Sequence, residues 1–211
     1  MTGTKEITRI ETQKRNKKRR SIFLDGEFAF GLDEELVYRY DLREGSTIDM
    51  STLGRILEAE EFKNAKDRAL RLLGYRARSE KELRDKLIQS GYDEDTIQRV
   101  IDEMKCLKFV NDDEFAAMFI RDRLRMRPCG SHLLKHELKQ KGLSDEIIEK
   151  SLKEAYSEKS QIELALELAN KKKKSYRNID THKERKRIAD FLSRRGFDWE
   201  IITHVMERWQ M

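Results

Sequence analysis

Leu138-Lys139-Gln140-Lys141-Gly142-Leu143-Ser144-Asp145-Glu146-Ile147-Ile148 reads as the end of one helix, a glycine stop and the capped start of the next. Leu134 and Leu138 share a helix face, and Gly142 suits the left-handed position just past a helix end. Ser144 can cap the following helix, whose first turn carries Asp145 and Glu146 against the positive end of the helix dipole. The pattern occurs upstream at Leu87–Ile97 around Gly91 and downstream at Leu192–Ile202 around Gly196. One helix–turn–helix unit is thus written three times, at offsets of 51 and 54 residues.

The rest of the chain falls around these units. The spacing predicts a helix from Ser51 to about Gly74, with Leu53, Ile56, Leu57, Phe62, Ala65 and Ala69 at three- and four-residue steps. It would supply the first helix of unit one. Ser79 and Glu82 form a capping-box pattern ahead of Leu83 and Leu87, and Ile97, Val100, Ile101 and Met104 follow on a third helix. In unit two, Asn111 or Asp112 opens a helix with Phe115, Phe119, Ile120 and Leu124, and Pro128 and Gly130 break it. Leu134 and Leu138 then match Leu83 and Leu87, and Ile148 and Leu152 match Ile97 and Ile101. In unit three, the stretch from Ile162 to Leu168 is followed by a longer connection through Lys171–Asp180, and Ile188, Leu192, Ile202 and Met206 take the equivalent places. Trp199 and Trp209 are expected to seal that last core, and Cys106 to be a small buried residue.

The first thirty residues differ in kind. Ile7–Gln13 alternates, and Arg20–Leu24, Asp25-Gly26 and Glu27–Phe30 form a strong hairpin signal, because a type I′ turn needs positive φ at both central residues. Lys14–Arg20 would be the basic loop between the first two strands. A three-stranded antiparallel sheet is expected, too small to stand alone, followed by a short helix capped at Asp33 and ended by Leu42–Gly45. The expected architecture is mainly α: three three-helix repeats in an elongated, curved array behind a small β module. Its expected divisions are residues 1–48 (β module and short helix), 49–107 (linking helix and repeat one), 108–156 and 157–211.

Composition supports long, solvent-washed helices around thin cores: 40% of residues are charged, 37% hydrophobic, and one is proline. The net charge of +5 is modest, but its distribution is not. Residues 27–67 carry five Lys/Arg against eleven acids, whereas residues 119–141 carry seven against two and residues 171–195 eleven against three. Two cysteines, no secretory signal pattern and no apolar run of membrane-spanning length lead to the expectation of a reduced, cytoplasmic, membrane-free protein.

Catalytic signals are sparse. No glycine-rich phosphate loop, nucleophile elbow or Cys/His ligand set is evident, so neither an enzyme nor a cofactor is expected. His132 and His136 could share a helix face but lack a third ligand, and Asp112, Asp113 and Glu114 are explained by their place at a helix start. The basic residues are the stronger lead. In unit two these are Arg121, Arg123, Arg125 and Arg127, then Lys135, Lys139 and Lys141. In unit three they are Lys171, Lys172, Lys173, Lys174 and Arg177, then Lys183, Arg185, Lys186, Arg187, Arg194 and Arg195. Such fields attract phosphate backbones or an acidic protein surface, and nothing in them reads as a base-specific code.

The chain resembles the RecX family, bacterial regulators of the recombinase RecA. The resemblance lies in Arg71-Leu72-Leu73, Arg76, Arg78-Ser79, Glu82-Leu83, Lys86-Leu87 and Gly91-Tyr92. It continues through Phe109–Asp113, Phe115-Ala116, Arg123, Glu137-Leu138 and Lys141–Leu143. It implies a monomeric, non-catalytic array of three-helix units that lodges in the groove of RecA–DNA filaments. Such a protein would modulate recombinase and ATPase activity in recombination, DNA repair and the SOS response, with sequence-tolerant contacts to single- or double-stranded DNA. The alternatives are a stand-alone DNA-binding protein or repressor, since helices around a glycine turn also resemble DNA-reading folds, and a metal-dependent nuclease.

Overall fold

A computed structural model describes residues 3–157, 160–176 and 181–208. In chain order the elements are strands β1 (Thr4–Thr12), β2 (Arg19–Leu24) and β3 (Glu27–Asp33), helix α1 (Glu34–Arg39), strand β4 (Thr47–Asp49) and helices α2 (Met50–Tyr75), α3 (Glu80–Ile88) and α4 (Glu94–Cys106). Then follow α5 (Asp112–Met126), α6 (Ser131–Gln140), α7 (Asp145–Ala155), α8 (Gln161–Lys173), α9 (Thr181–Arg194) and α10 (Trp199–Arg208). The chain divides into two compact units, residues 1–75 with 86–103, and residues 76–85 with 104–211.

In the first unit the sheet is antiparallel in the order β3-β2-β1-β4. Asp25 and Gly26 have φ of 51° and 88°, as a type I′ turn requires. The fourth strand corrects the three-stranded expectation. Thr47-Ile48-Asp49 is too short to show alternation, yet it pairs with Thr4–Glu6 and sinks Ile48 into the core. One face of the sheet buries Ile7, Ile22, Leu24 and Leu32 against Leu36 of α1 and Leu53 and Ile56 of α2. Buried Glu60 is tolerated because it accepts a hydrogen bond from Asp33 N at 2.9 Å and pairs with Arg19 at 2.7 Å. Asp33 caps α1 as expected, but the helix ends at Arg39, ahead of Leu42–Gly45.

The three repeats keep their register. Leu83, Leu87, Leu134, Leu138, Ile188 and Leu192 are all fully buried, as are Ile97, Ile101 and Ile148. After each second helix the glycine is left-handed, with φ of 87° at Gly91, 85° at Gly142 and 79° at Gly196. The next residue's N–H then reaches back to the helix: Tyr92 to Leu87 O, Leu143 to Leu138 O and Phe197 to Leu192 O. Asn111, Ser144 and Ser160 cap α5, α7 and α8, the last with Glu163 in a complete capping box.

Several details differ from the sequence reading. Ser79 Oγ accepts from Glu82 N at 3.2 Å, but the Glu82 carboxylate turns to Arg76 and Lys141, so the box is half made. Lys171–Lys173 belong to the last turn of α8 and not to a loop, since lysine is a good helix former and opposes the negative end of the dipole there. Cys106, the last residue of α4, is exposed, and Cys129 is the buried cysteine. Trp199 is 72% exposed and does not seal the third core, while Trp209 lies outside the described residues.

Within the second unit the repeats meet through two similar joints. In one, Ser79 Oγ donates to Lys141 O at 2.7 Å, and the knuckle at Gly142 abuts Lys81. In the other, Gly130 N donates to Arg195 O at 2.9 Å, His132 N donates to Gly196 O at 3.2 Å, and Gly196 abuts Leu133. Neither knuckle leaves room for a side chain. A Cβ on Gly142 would lie 2.4 Å from Lys81 Cβ, and one on Gly196 would lie 2.5 Å from Leu133 Cβ and its backbone nitrogen. The same glycine at position 91 has nothing within 4 Å of that point.

Candidate interaction surfaces

The basic side chains separate by what they do at home. Arg123 is structural: its guanidinium donates from Nε and Nη2 to both oxygens of Glu137, at 2.9 and 2.8 Å, and this pairing pushes its pKa up. Arg123→Lys, which cannot make that fork, should lower the stability of this unit by about 1 kcal/mol in a chemical-denaturation series. Lys135 pairs with Glu149 at 3.0 Å, and Lys139 pairs with Asp145 at 2.8 Å. Lys141 meets Glu82 across the first joint. Arg195 donates to Pro128 O at 2.8 Å across the second. Burial and the like charge of Arg127 hold the Arg195 pKa below its ordinary value.

Arg121, Arg125 and Arg127 remain exposed at the end of α5 and have no carboxylate partner among the described residues. Another face of the same helix lines a cleft of about 420 Å³ with Phe115, Met118, Phe119, Asp122, Arg123 and Met126, and Arg76 and Lys141 also border it. Met126 is 84% exposed. Sequence reading missed this cleft, because Met118 and Met126 fall outside the core stripe of α5 and look like ordinary surface positions.

In the third repeat Lys171, Lys174, Lys186 and Arg194 are likewise exposed without a carboxylate partner among the described residues. Others gather on two rings: Lys172 lies 5.5 Å from the centre of Tyr176 and 5.8 Å from that of Phe191, Arg187 lies 6.0 Å from Tyr176, and Arg195 lies 5.1 Å from Phe191. Arg185 donates to Met206 O at 3.5 Å, and Lys173 and Lys183 are engaged within the chain. Arg177 lies outside the described residues. His132 and His136 do not converge, since His132 Nε2 lies 2.8 Å from Asp198 and His136 Nε2 lies 3.0 Å from Gln140. Among the described residues no group of three or more His, Cys, Asp or Glu is placed to hold a metal, and no helix is long and apolar enough to cross a membrane.

Four family models match along the chain in order. They are the RecX N-terminal domain at residues 5–49 and the first, second and third RecX three-helix domains at residues 65–104, 111–152 and 159–206. The chain belongs to the RecX family. It is 37% identical to the regulatory protein RecX of Clostridium beijerinckii, over 96% of this chain and 95% of that one. The regulatory protein RecX of Bacillus velezensis is 35% identical over 96% of this chain and 76% of its own. A crystal structure of regulatory protein RecX superposes with a TM-score of 0.76 at 26% identity, covering 96% of this chain and 99% of that one. That of RecX from Lactobacillus salivarius gives 0.65 at 28% identity, covering 71% and 97%. The chain is therefore a regulatory-family protein built of a β module and three RecX three-helix domains.

Proposed function

We propose that this RecX-family chain binds RecA and its nucleoprotein filaments, and changes recombinase and ATPase activity in recombination and repair without chemistry of its own. The observation that carries this reading is helix α5, whose Arg121, Arg125 and neighbouring Arg127 have no carboxylate partner among the described residues, and which on another face lines a largely apolar cleft. Unpartnered arginines attract phosphate or carboxylate, and an apolar cleft rewards a protein side chain, so the pair suits a partner made of both. The exposed Lys171, Lys174, Lys186 and Arg194 of repeat three add a second group of cations suited to phosphates.

A repressor reading is less favoured. The helix after each glycine turn is the one that would read bases, and it opens with Glu94-Asp95, Asp145-Glu146 or Glu200, which repel phosphates. The start of α6 is held in a joint by Gly196.

RecA-dependent ATP hydrolysis on single-stranded DNA tests the reading. The protein should alter the rate at sub-stoichiometric to equal ratios, and Arg121→Glu with Arg125→Glu should need at least ten-fold more protein for the same effect. No change with the unaltered protein at low salt would remove the proposal.

A further inference from the structure

The outer face of the β module carries a feature that the filament reading does not use. Opposite the buried row of Ile7, Ile22 and Leu24, the strands turn Arg9, Glu11, Ser21, Phe23 and Phe28 outward, with Glu11 paired to Arg9 at 3.2 Å. Phe23 and Phe28 pair across β2 and β3, edge to face, with ring centres 5.8 Å apart at 77°. The Arg9 guanidinium lies 4.0 Å above the Phe23 ring. Phe28 stays 59% exposed. At the far end of β2 the loop between β1 and β2 presents Lys14, Arg15, Lys17 and Lys18, all exposed and none with a carboxylate partner among the described residues. From Phe23 to the loop edge at Arg19 is four residues of strand, or roughly 13 Å.

We infer that this face is a binding site for single-stranded nucleic acid, with a base stacked on Phe28 and phosphates further along the same strand held by the loop of Lys14, Arg15, Lys17 and Lys18. Two rings of about 150–250 Å² each fall short of the roughly 800 Å² per partner that a stable protein contact needs. A base needs only a ring face, and every base has one to offer. In a duplex those faces are buried in the stack, so the aromatic pair selects unpaired strands. Four cations in one short loop supply the sequence-independent attraction along the backbone. The ligand is thus a short run of single strand, bound with little base preference and strong salt dependence. The inference stands apart from the filament reading, because it needs no recombinase.

The test is fluorescence anisotropy of labelled oligo-dT with the full chain at low salt, in the absence of any other protein. Phe28→Ala should weaken binding by roughly ten-fold or more while leaving the slope of log Kd against log salt unchanged. Lys17→Glu with Lys18→Glu should weaken it and reduce that slope by about 1.4, the share of two phosphate contacts on a single strand. Phe28→Trp should restore affinity, and its added emission should be quenched by the oligonucleotide. All these side chains are exposed, and unchanged melting temperatures will separate lost binding from lost folding. Wild-type affinity in both Phe28→Ala and the lysine variant would overturn the inference, as would added emission in Phe28→Trp that the oligonucleotide leaves unquenched. So would a Phe28→Ala protein that binds oligo-dT normally but no longer acts on the recombinase, which would make the face a protein contact.

Discussion

Alanine placed at Gly91, Gly142 and Gly196, one at a time, should lower the melting temperature in that order. All three share nearly the same left-handed backbone, so each variant loses about 1 kcal/mol to that conformation alone. The surroundings set the rest. The new methyl meets nothing within 4 Å at position 91. At position 142 it runs into the Lys81 side chain at its base, where the chain has little freedom to swing aside. At position 196 it meets the Leu133 backbone nitrogen at 2.5 Å, so α6 itself must move. Overpacking of this kind typically adds about 1–3 kcal/mol. Valine at position 142 should be worse than alanine, because a branched Cβ resists the left-handed region. Equal losses at all three glycines would show that the turn alone, and not the joint, is being disturbed.

The second large effect is expected at Glu82. Only 13% of its side chain is exposed, and its carboxylate takes both Arg76 at 2.7 Å and Lys141 from the next repeat. Desolvation alone would raise its pKa, but the hydrogen bonds from Arg76 and Lys141 outweigh it and hold the group below its ordinary 4.5. Glu82→Ala should cost about 2 kcal/mol, short of a fully buried pair because both cations keep partial access to water. The sign with pH follows from the depressed folded pKa. The stabilisation is complete above 4.5 and is lost as pH falls through the lower folded value. The stability gap between the unaltered protein and Glu82→Gln should therefore be full at neutral pH and close in acid. A gap independent of pH would mean that Glu82 acts by shape and not by charge.

Much of the architecture was legible because it is local and repeated. Period and punctuation identify Leu134, Leu138 and Gly142, and triplication makes the reading firm. The same alignment, pushed one step further, would have placed Trp199 correctly. It occupies the position of Glu94 and Asp145, the first residue of each third helix, where the others are exposed acids. β4 was missed because three residues hold too little pattern, and its partner Thr4–Glu6 is more than forty positions away. The surfaces were only half visible. Charge blocks locate the basic segments, but nothing local says that Arg123 is committed to Glu137, or Lys141 to Glu82, while Arg121 and Arg125 have no carboxylate partner among the described residues. Those are tertiary pairings between residues up to 59 positions apart, and they decide which cations are left for a partner.

The strand order has a consequence for how the chain is made. β1 precedes β2 and β4 in the chain, yet it lies inside the sheet, flanked by both. One of its edges therefore waits until residue 49 has emerged. Asp49, the last residue of β4, also accepts the Thr52 N–H and hydroxyl at the start of α2, at 2.8 and 2.9 Å. Completion of the sheet and initiation of the 26-residue helix thus turn on one side chain. The β module should mature late on the ribosome, in step with α2, and not as an independent early folding unit.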